Sequence, residues 1–206
     1  MSARQITLYH AARSRSSGAV ALLEALGADY RLQVLDLKGG ANLAPAYLAI
    51  NPMGKVPAIL HNGALVTEQV AIYLYLADLY PEAGLAPPIG DAQRGPYLRW
   101  MAFYGACFEP AMTDKALHRE PPPRMMSPYN DAETVLQVIE AQLAQGPYLL
   151  GEALSAADIL WGNALGWMRE FGLVQPAPAT AAYIDRMGTL AAVDRSRQID
   201  AELVAA

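Results

Sequence analysis

The chain has 206 residues, room for one large domain or two small ones, and 53% of them are hydrophobic, ample for a buried core. Its 15 basic and 20 acidic side chains leave a net charge of −5, which argues against nucleic acid as the main partner, because phosphate binding needs a basic face. Apolar stretches stop well short of the ~18 residues that span a membrane, no signal peptide is read at the N-terminus, and the single cysteine, Cys107, leaves no internal disulfide, so a reducing cytoplasm is the expected setting.

The first elements alternate between strand and helix. Ile6 to Tyr9 reads as a strand. Ala19, Leu22, Leu23 and Leu26 fall at helical spacing and Gly27 closes that helix. Arg31 to Leu35 alternates as a strand does. Ala44 to Ile50 is a short helix ended by Asn51-Pro52. Val56 to Leu60 is a strand with a proline, Pro57, near its start, where it withholds a ladder donor. His61-Asn62-Gly63 is a hairpin turn, and Ala64 to Val66 returns antiparallel. Glu68 to Leu79 is apolar nearly all round, the pattern of a helix buried against two partners. The order is βαβ, a helix, then ββα.

Proline and glycine crowd the next stretch, Tyr80 to Asp91, and mark a linker. The expected division is 1–80 as one domain, 81–91 as linker and 92–206 as a second, all-helical domain. A long helix is expected from about Ala92 to Leu117, then a proline-rich loop from Arg119 to Pro128. Ala132, Val135, Leu136, Ile139 and Leu143 mark another helix, stopped by Gly146-Pro147. Ser155 and Asp158 form a candidate capping box before Ile159-Leu160-Trp161. Further helices are expected around Ala177 to Leu190 and Asp194 to Leu203.

Four stretches together resemble the glutathione transferase superfamily. They are NPMGKVPAIL (residues 51–60), TEQVAIYLYLADLYP (67–81), SAADIL (155–160) and LYHAARSRSSGAV (8–20); the last is similar to the active-site entry of serine-type members. The resemblance implies an α/β thioredoxin-like domain followed by an all-α helical bundle. It implies a cis bond before Pro57, which turns the N–H and C=O of Val56 towards an extended peptide instead of a neighbouring strand. It implies that Glu68, Gln69, Lys55 and Val56 bind glutathione: Glu68 the amine, Lys55 the glycine carboxylate, and the helix start at Gln69 the γ-glutamyl carboxylate. Most relatives carry serine where this chain has Gln69. Taken alone, Glu68 reads as an acidic residue favouring a helix start, and Lys55 as a solvated turn residue.

A free thiol ionises near pH 8.5, so only ~3% is thiolate at pH 7. One hydrogen bond to a charged group, ~1.5–3 kcal/mol, moves that by one to two pKa units. Such an enzyme therefore needs a placed donor rather than a strong base. By register with the first helix, Ser14 is the expected catalytic donor; Ser16, Tyr9 and His10 are the alternatives, and Ser16 or Ser17 is expected to cap the helix. Trp100, Phe103, Tyr104, Phe108 and Met112, with Met125 and Met126 beyond, divide between core and an apolar electrophile pocket. The expected activity is a cytosolic glutathione transferase, a homodimer without metal, acting on a hydrophobic electrophile. A binding protein without turnover and a glutathione-dependent peroxidase or isomerase are the rival readings.

Overall fold

The computed structural model describes residues 3–205. They form two compact units, each with its own core. The first begins with β1 (Ile6–His10), α1 (Arg15–Leu26) and β2 (Tyr30–Val34). A turn and the four-residue helix α2 (Pro45–Leu48) lead to β3 (Ala58–His61), β4 (Ala64–Val66) and α3 (Gln69–Leu79). The sheet order is β2-β1-β3-β4; β1 and β2 run parallel, the other pairs antiparallel. This is the expected thioredoxin-like order.

Alternation along β1 sends Ile6, Leu8 and His10 to one face and Thr7 and Tyr9 to the other. Ile6, Leu8 and His10 are fully buried, as are Val20, Leu22 and Leu23 of α1 and Ile72, Tyr73 and Leu76 of α3. Each such apolar side chain contributes about 1.5–3 kcal/mol by leaving water. On the opposite face Tyr9, Tyr47 and Ala58 form a smaller cluster that includes Val56 and Leu60. Helix α1 ends as expected at Gly27, whose φ of 61° suits glycine and whose N–H bonds back to Glu24 and Leu23. Strand β3 starts at Ala58 rather than Val56, because Pro57 has no N–H to give a ladder.

The second unit, Leu85–Thr189, is helical. Helix α4 (Arg94–Phe103) runs through a π-turn (Tyr104–Phe108) into α5 (Glu109–Ala116). Pro110 lacks the N–H that Ala106 O needs at helical spacing, which accounts for the widened turn just before it. Helix α6 (Ala132–Leu143) is capped by Asp131, whose carboxylate accepts from Thr134 N–H at 2.6 Å. Helix α7 (Ala156–Glu170) carries the expected capping box at Ser155 and Asp158, and α8 (Pro178–Gly188) packs on α6 and α7. Trp161 centres the core: Phe108 lies 4.8 Å from it, Tyr104 5.4 Å and Trp100 6.0 Å, and its Nε1–H donates to Trp100 O at 3.1 Å. Trp100, Tyr104, Phe108 and Met112 are therefore core, while Met125 and Met126 are exposed.

The last helix, α9 (Ala191–Ala205), packs on α1 and belongs to the first unit. That corrects the expected extent of the second domain, 92–206. A linker signal marks where the chain leaves a domain; it carries nothing about a later return. Val193, Ser196, Ile199 and Asp200 form the buried stripe of α9.

Candidate active site

The first strand, the loop before the third and the starts of two helices converge at the C-terminal end of β1. His10 ends β1, and three residues of loop lead to Ser14, the N-cap of α1. Ser14 Oγ accepts from Ser16 N–H at 3.1 Å and donates towards Ala11 O or Ser16 Oγ, each at 2.7 Å. The cap expected from Ser16 or Ser17 is thus supplied by Ser14, the residue just before the first helical turn, as capping geometry requires. Ser14 stays half-buried, whereas Ser16 is fully buried. Ser16 Oγ accepts from Ala11 N–H at 3.0 Å and lies 2.8 Å from His10 Nδ1.

Asp200 of α9 reaches the same loop. Its Oδ2 accepts from Arg13 N–H at 2.9 Å and from Ser17 Oγ–H at 2.6 Å, and its Oδ1 lies 3.0 Å from His10 Nε2 without the alignment of a full hydrogen bond. Arg13 adopts a φ of 54°, uncommon for a side chain other than glycine, and Asp200 holds its N–H there. Burial alone raises the Asp200 carboxyl, but His10, Ser17 and the Arg13 N–H outweigh it and hold the group below its ordinary value.

The loop Asn51 to Lys55 aims Val56. Asn51 is buried; its Oδ1 accepts from Met53 N–H at 3.1 Å and its Nδ2–H donates to Lys55 O at 2.9 Å. Tyr47 Oη–H adds a second donor to the same carbonyl at 2.6 Å, and burial pushes the Tyr47 hydroxyl up, so it stays a donor. Gly54 has a φ of 61°, and a Cβ there would stand 2.9 Å from Asn42 O, so the turn requires glycine. The Val56–Pro57 bond is cis, as the resemblance implied. Val56 lies outside the β3 ladder, which leaves its N–H and C=O unused by the sheet. Lys55 is exposed.

Glu68, exposed, is the N-cap of α3 with a φ of 63° and ψ of 117°. A β-carbon in that region is held only where the surroundings over-determine it, which is a mark of functional segments. Gln69 opens the helix, and its Nε2–H donates to Arg15 O at 3.3 Å, so the side chain ties the start of α3 to the start of α1.

Two helix N-termini, the backbone of Val56 outside the sheet ladder and a hydroxyl at Ser14 therefore share one end of the sheet. Helix N-termini attract anions, so the arrangement suits a ligand with carboxylates, an extended backbone and an ionisable thiol. Tyr9 packs its ring against Tyr47, centroids 5.4 Å apart, and His10 is fully buried, so the His10 ring presents no direct donor to a ligand. The residue missed from sequence is Asp200. Its trace was present: Ser196 and Asp200 sit one turn apart on an otherwise apolar stripe with Val193 and Ile199, and buried polar groups require partners. Ser196 finds Ser17 O at 2.7 Å. Among the described residues no group of three or more His, Cys, Asp or Glu side chains is placed to hold a metal.

Family models described as "Glutathione S-transferase, N-terminal domain" and "Glutathione S-transferase, C-terminal domain" match residues 4–78 and 130–186. The chain is 31% identical over 166 residues to glutathione S-transferase GstA of Escherichia coli O157:H7, covering 78% of this chain and 82% of that protein. Among solved structures, the glutathione transferase of Methylococcus capsulatus superposes with a TM-score of 0.78 at 30% identity, covering 95% of this chain and 98% of the other. A sphingomonad glutathione S-transferase complexed with glutathione superposes with a TM-score of 0.78 at 28% identity over the same shares.

Proposed function

The chain belongs to the glutathione S-transferase family and is a transferase enzyme, and from that premise we propose that it binds glutathione at the end of β1, ionises its thiol beside Ser14, and adds the thiolate to a hydrophobic electrophile. Ser14 is the thiolate donor in this reading. Val56 pairs with the cysteinyl backbone, Glu68 with the ligand's amine, the N-terminus of α3 at Gln69 with the γ-glutamyl carboxylate, and Lys55 with the glycine carboxylate. The observation that carries the assignment is the convergence on one end of the sheet of a half-buried hydroxyl at one helix start and a strained acidic cap at another.

The chemistry follows from the thiol. Ionisation makes sulfur the nucleophile. A hydroxyl that donates to S⁻ near a positive helix end stabilises the thiolate more than the thiol, which is the difference that accelerates attack. We further assign the protein a cytoplasmic setting, a role in detoxifying electrophiles and a homodimeric state, all in keeping with the family. Turnover of glutathione with an activated aryl halide tests the reading. The expected result is conjugation together with a glutathione-dependent rise in melting temperature. Binding without conjugation, or consumption of glutathione only with an organic hydroperoxide, would assign one of the rival functions instead.

A further inference from the structure

The entry of α1 holds more polar machinery than a thiolate donor needs. Four side chains stand in line: Ser14 Oγ to Ser16 Oγ, 2.7 Å; Ser16 Oγ to His10 Nδ1, 2.8 Å; His10 Nε2 to Asp200 Oδ1, 3.0 Å. Ser16 and His10 are fully buried, and Asp200 is nearly so. His10 occupies a β1 position whose neighbours on that face, Ile6 and Leu8, are apolar. A polar ring placed there costs free energy unless its nitrogens have partners; Ser16 is within hydrogen-bond distance of Nδ1, and the Asp200 carboxylate faces Nε2 at 3.0 Å as a charge.

Counting protons shows what the line can do. A hydroxyl has one proton and two lone pairs. Ser16 Oγ spends one lone pair on Ala11 N–H, and Ser14 Oγ one on Ser16 N–H. With Nδ1 bare, Ser16 donates to His10 and accepts from Ser14, so Ser14's proton points inward. With Nδ1 protonated, Ser16 accepts from His10 and donates to Ser14, so Ser14's proton is released from Ser16 and is left for Ala11 O, 2.7 Å away, or for a ligand. The second arrangement fills both lone pairs of each hydroxyl, the first leaves one on Ser14 open to a ligand, and the two differ by one proton.

We propose that Ser14, Ser16, His10 and Asp200 form a relay that takes up the thiol proton of bound glutathione. This rests on the reading of Ser14 as the thiolate donor. The S–H bond breaks as its proton passes to Ser14 Oγ. Ser14's own proton passes to Ser16 Oγ, and Ser16's to His10 Nδ1. The products are a thiolate that accepts from Ser14 and an imidazolium beside the Asp200 carboxylate. The proton returns along the same line to solvent once the thiolate has been consumed. His10 and Asp200 act through the serines and touch no ligand, so they are positioning residues. Asp200 reaches the line from α9, which gives a helix far along the chain a part in the chemistry of the first.

The test is made on the wild-type protein. His10 is one of three histidines, so its ring resonances can be assigned by substitution. Glutathione is expected to shift His10 to the imidazolium signature, and S-methylglutathione, which has no thiol proton, is not. The ultraviolet absorbance of the thiolate should rise while calorimetry in buffers of different ionisation enthalpy finds much less than a full proton released. Ser16→Ala, which cuts the line but leaves Ser14 in place, should restore release of a full proton. A thiolate that forms with a full proton released and with His10 unchanged overturns the relay and leaves Ser14 as donor. If no thiolate forms, or if it forms equally in Ser14→Ala, the donor reading falls and the relay with it.

Discussion

At the residue scale, Ser14 caps α1 and, in the proposed function, also donates to the thiolate, and the two roles can be separated. Ser14→Ala removes a charge-assisted donor of ~1.5–3 kcal/mol, so conjugation at pH 7 should fall about ten- to a hundredfold. The loss should shrink as pH rises towards that of the free thiol, about 8.5, because the thiolate then forms unaided. The same substitution removes the cap of α1 and should cost ~0.5–2 kcal/mol of stability. Ser14→Asn keeps a capping oxygen, so it should recover the stability without the rate; thermal melts and initial rates on both variants decide this. Asp200 allows a pH prediction. Its folded pKa lies below its unfolded one, so the unfolded chain binds more protons and stability rises with pH through this window. The contribution is present above pH ~4 and lost as pH falls through the folded value. Asp200→Asn should flatten that part of the acid-unfolding curve; an unchanged curve would show that the carboxylate contributes nothing there.

At the element scale, the turn before β3 and the capping box of α7 are built from side chains that bond to backbone. Gly54→Ala places a Cβ against Asn42 O in a left-handed conformation, so the turn must shift. We expect a loss of about 1–3 kcal/mol and weaker glutathione binding, because Val56 moves with the turn. Equilibrium unfolding and titration calorimetry read the two effects; a loss of stability with affinity intact would separate the turn from the ligand. In α7, Asp158 is fully buried and accepts from Ser155 N–H at 2.9 Å, Ser155 Oγ–H at 2.7 Å, Leu149 N–H at 2.8 Å and Tyr183 Oη–H at 3.1 Å. Asp158→Ala leaves these donors buried without a partner, at about 1–3 kcal/mol for each that water does not reach. It should lower the melting temperature more than loss of a half-buried cap, such as Asp131→Ala, and a comparison of the two melts checks this.

At the scale of the whole molecule, the chain returns to its first unit after Thr189. Ending it at Leu190 would remove Ser196 and Asp200 and uncover the face of α1 that α9 buries. The first unit should then unfold earlier and be cleaved faster near Arg13 in limited proteolysis. Equal protection of the shortened chain would show that α9 is dispensable. The proposed homodimer predicts a sedimentation mass of about twice 22.2 kDa.

The elements themselves were legible because each leaves a local mark: helical spacing at Ala19, Leu22, Leu23 and Leu26, glycine at 27, the turn at His61 to Gly63, and the Ser155 and Asp158 pair. Apolar periodicity and turn chemistry are properties of neighbours in sequence, so the order of strands and helices can be read from the chain without its fold. The motifs around Ser14, Val56 and Glu68 also pointed to one end of the sheet, the end at which the proposed function places its ligand. What those residues touch depends on how the elements pack. Which of three serines caps α1 depends on a single step of register, and the structure gives that place to Ser14. The link from His10 to Asp200 joins positions 190 residues apart in the chain, and no local pattern records a contact of that kind. It exists because α9 packs on α1 and carries one carboxylate on its buried stripe to the buried histidine at the end of β1.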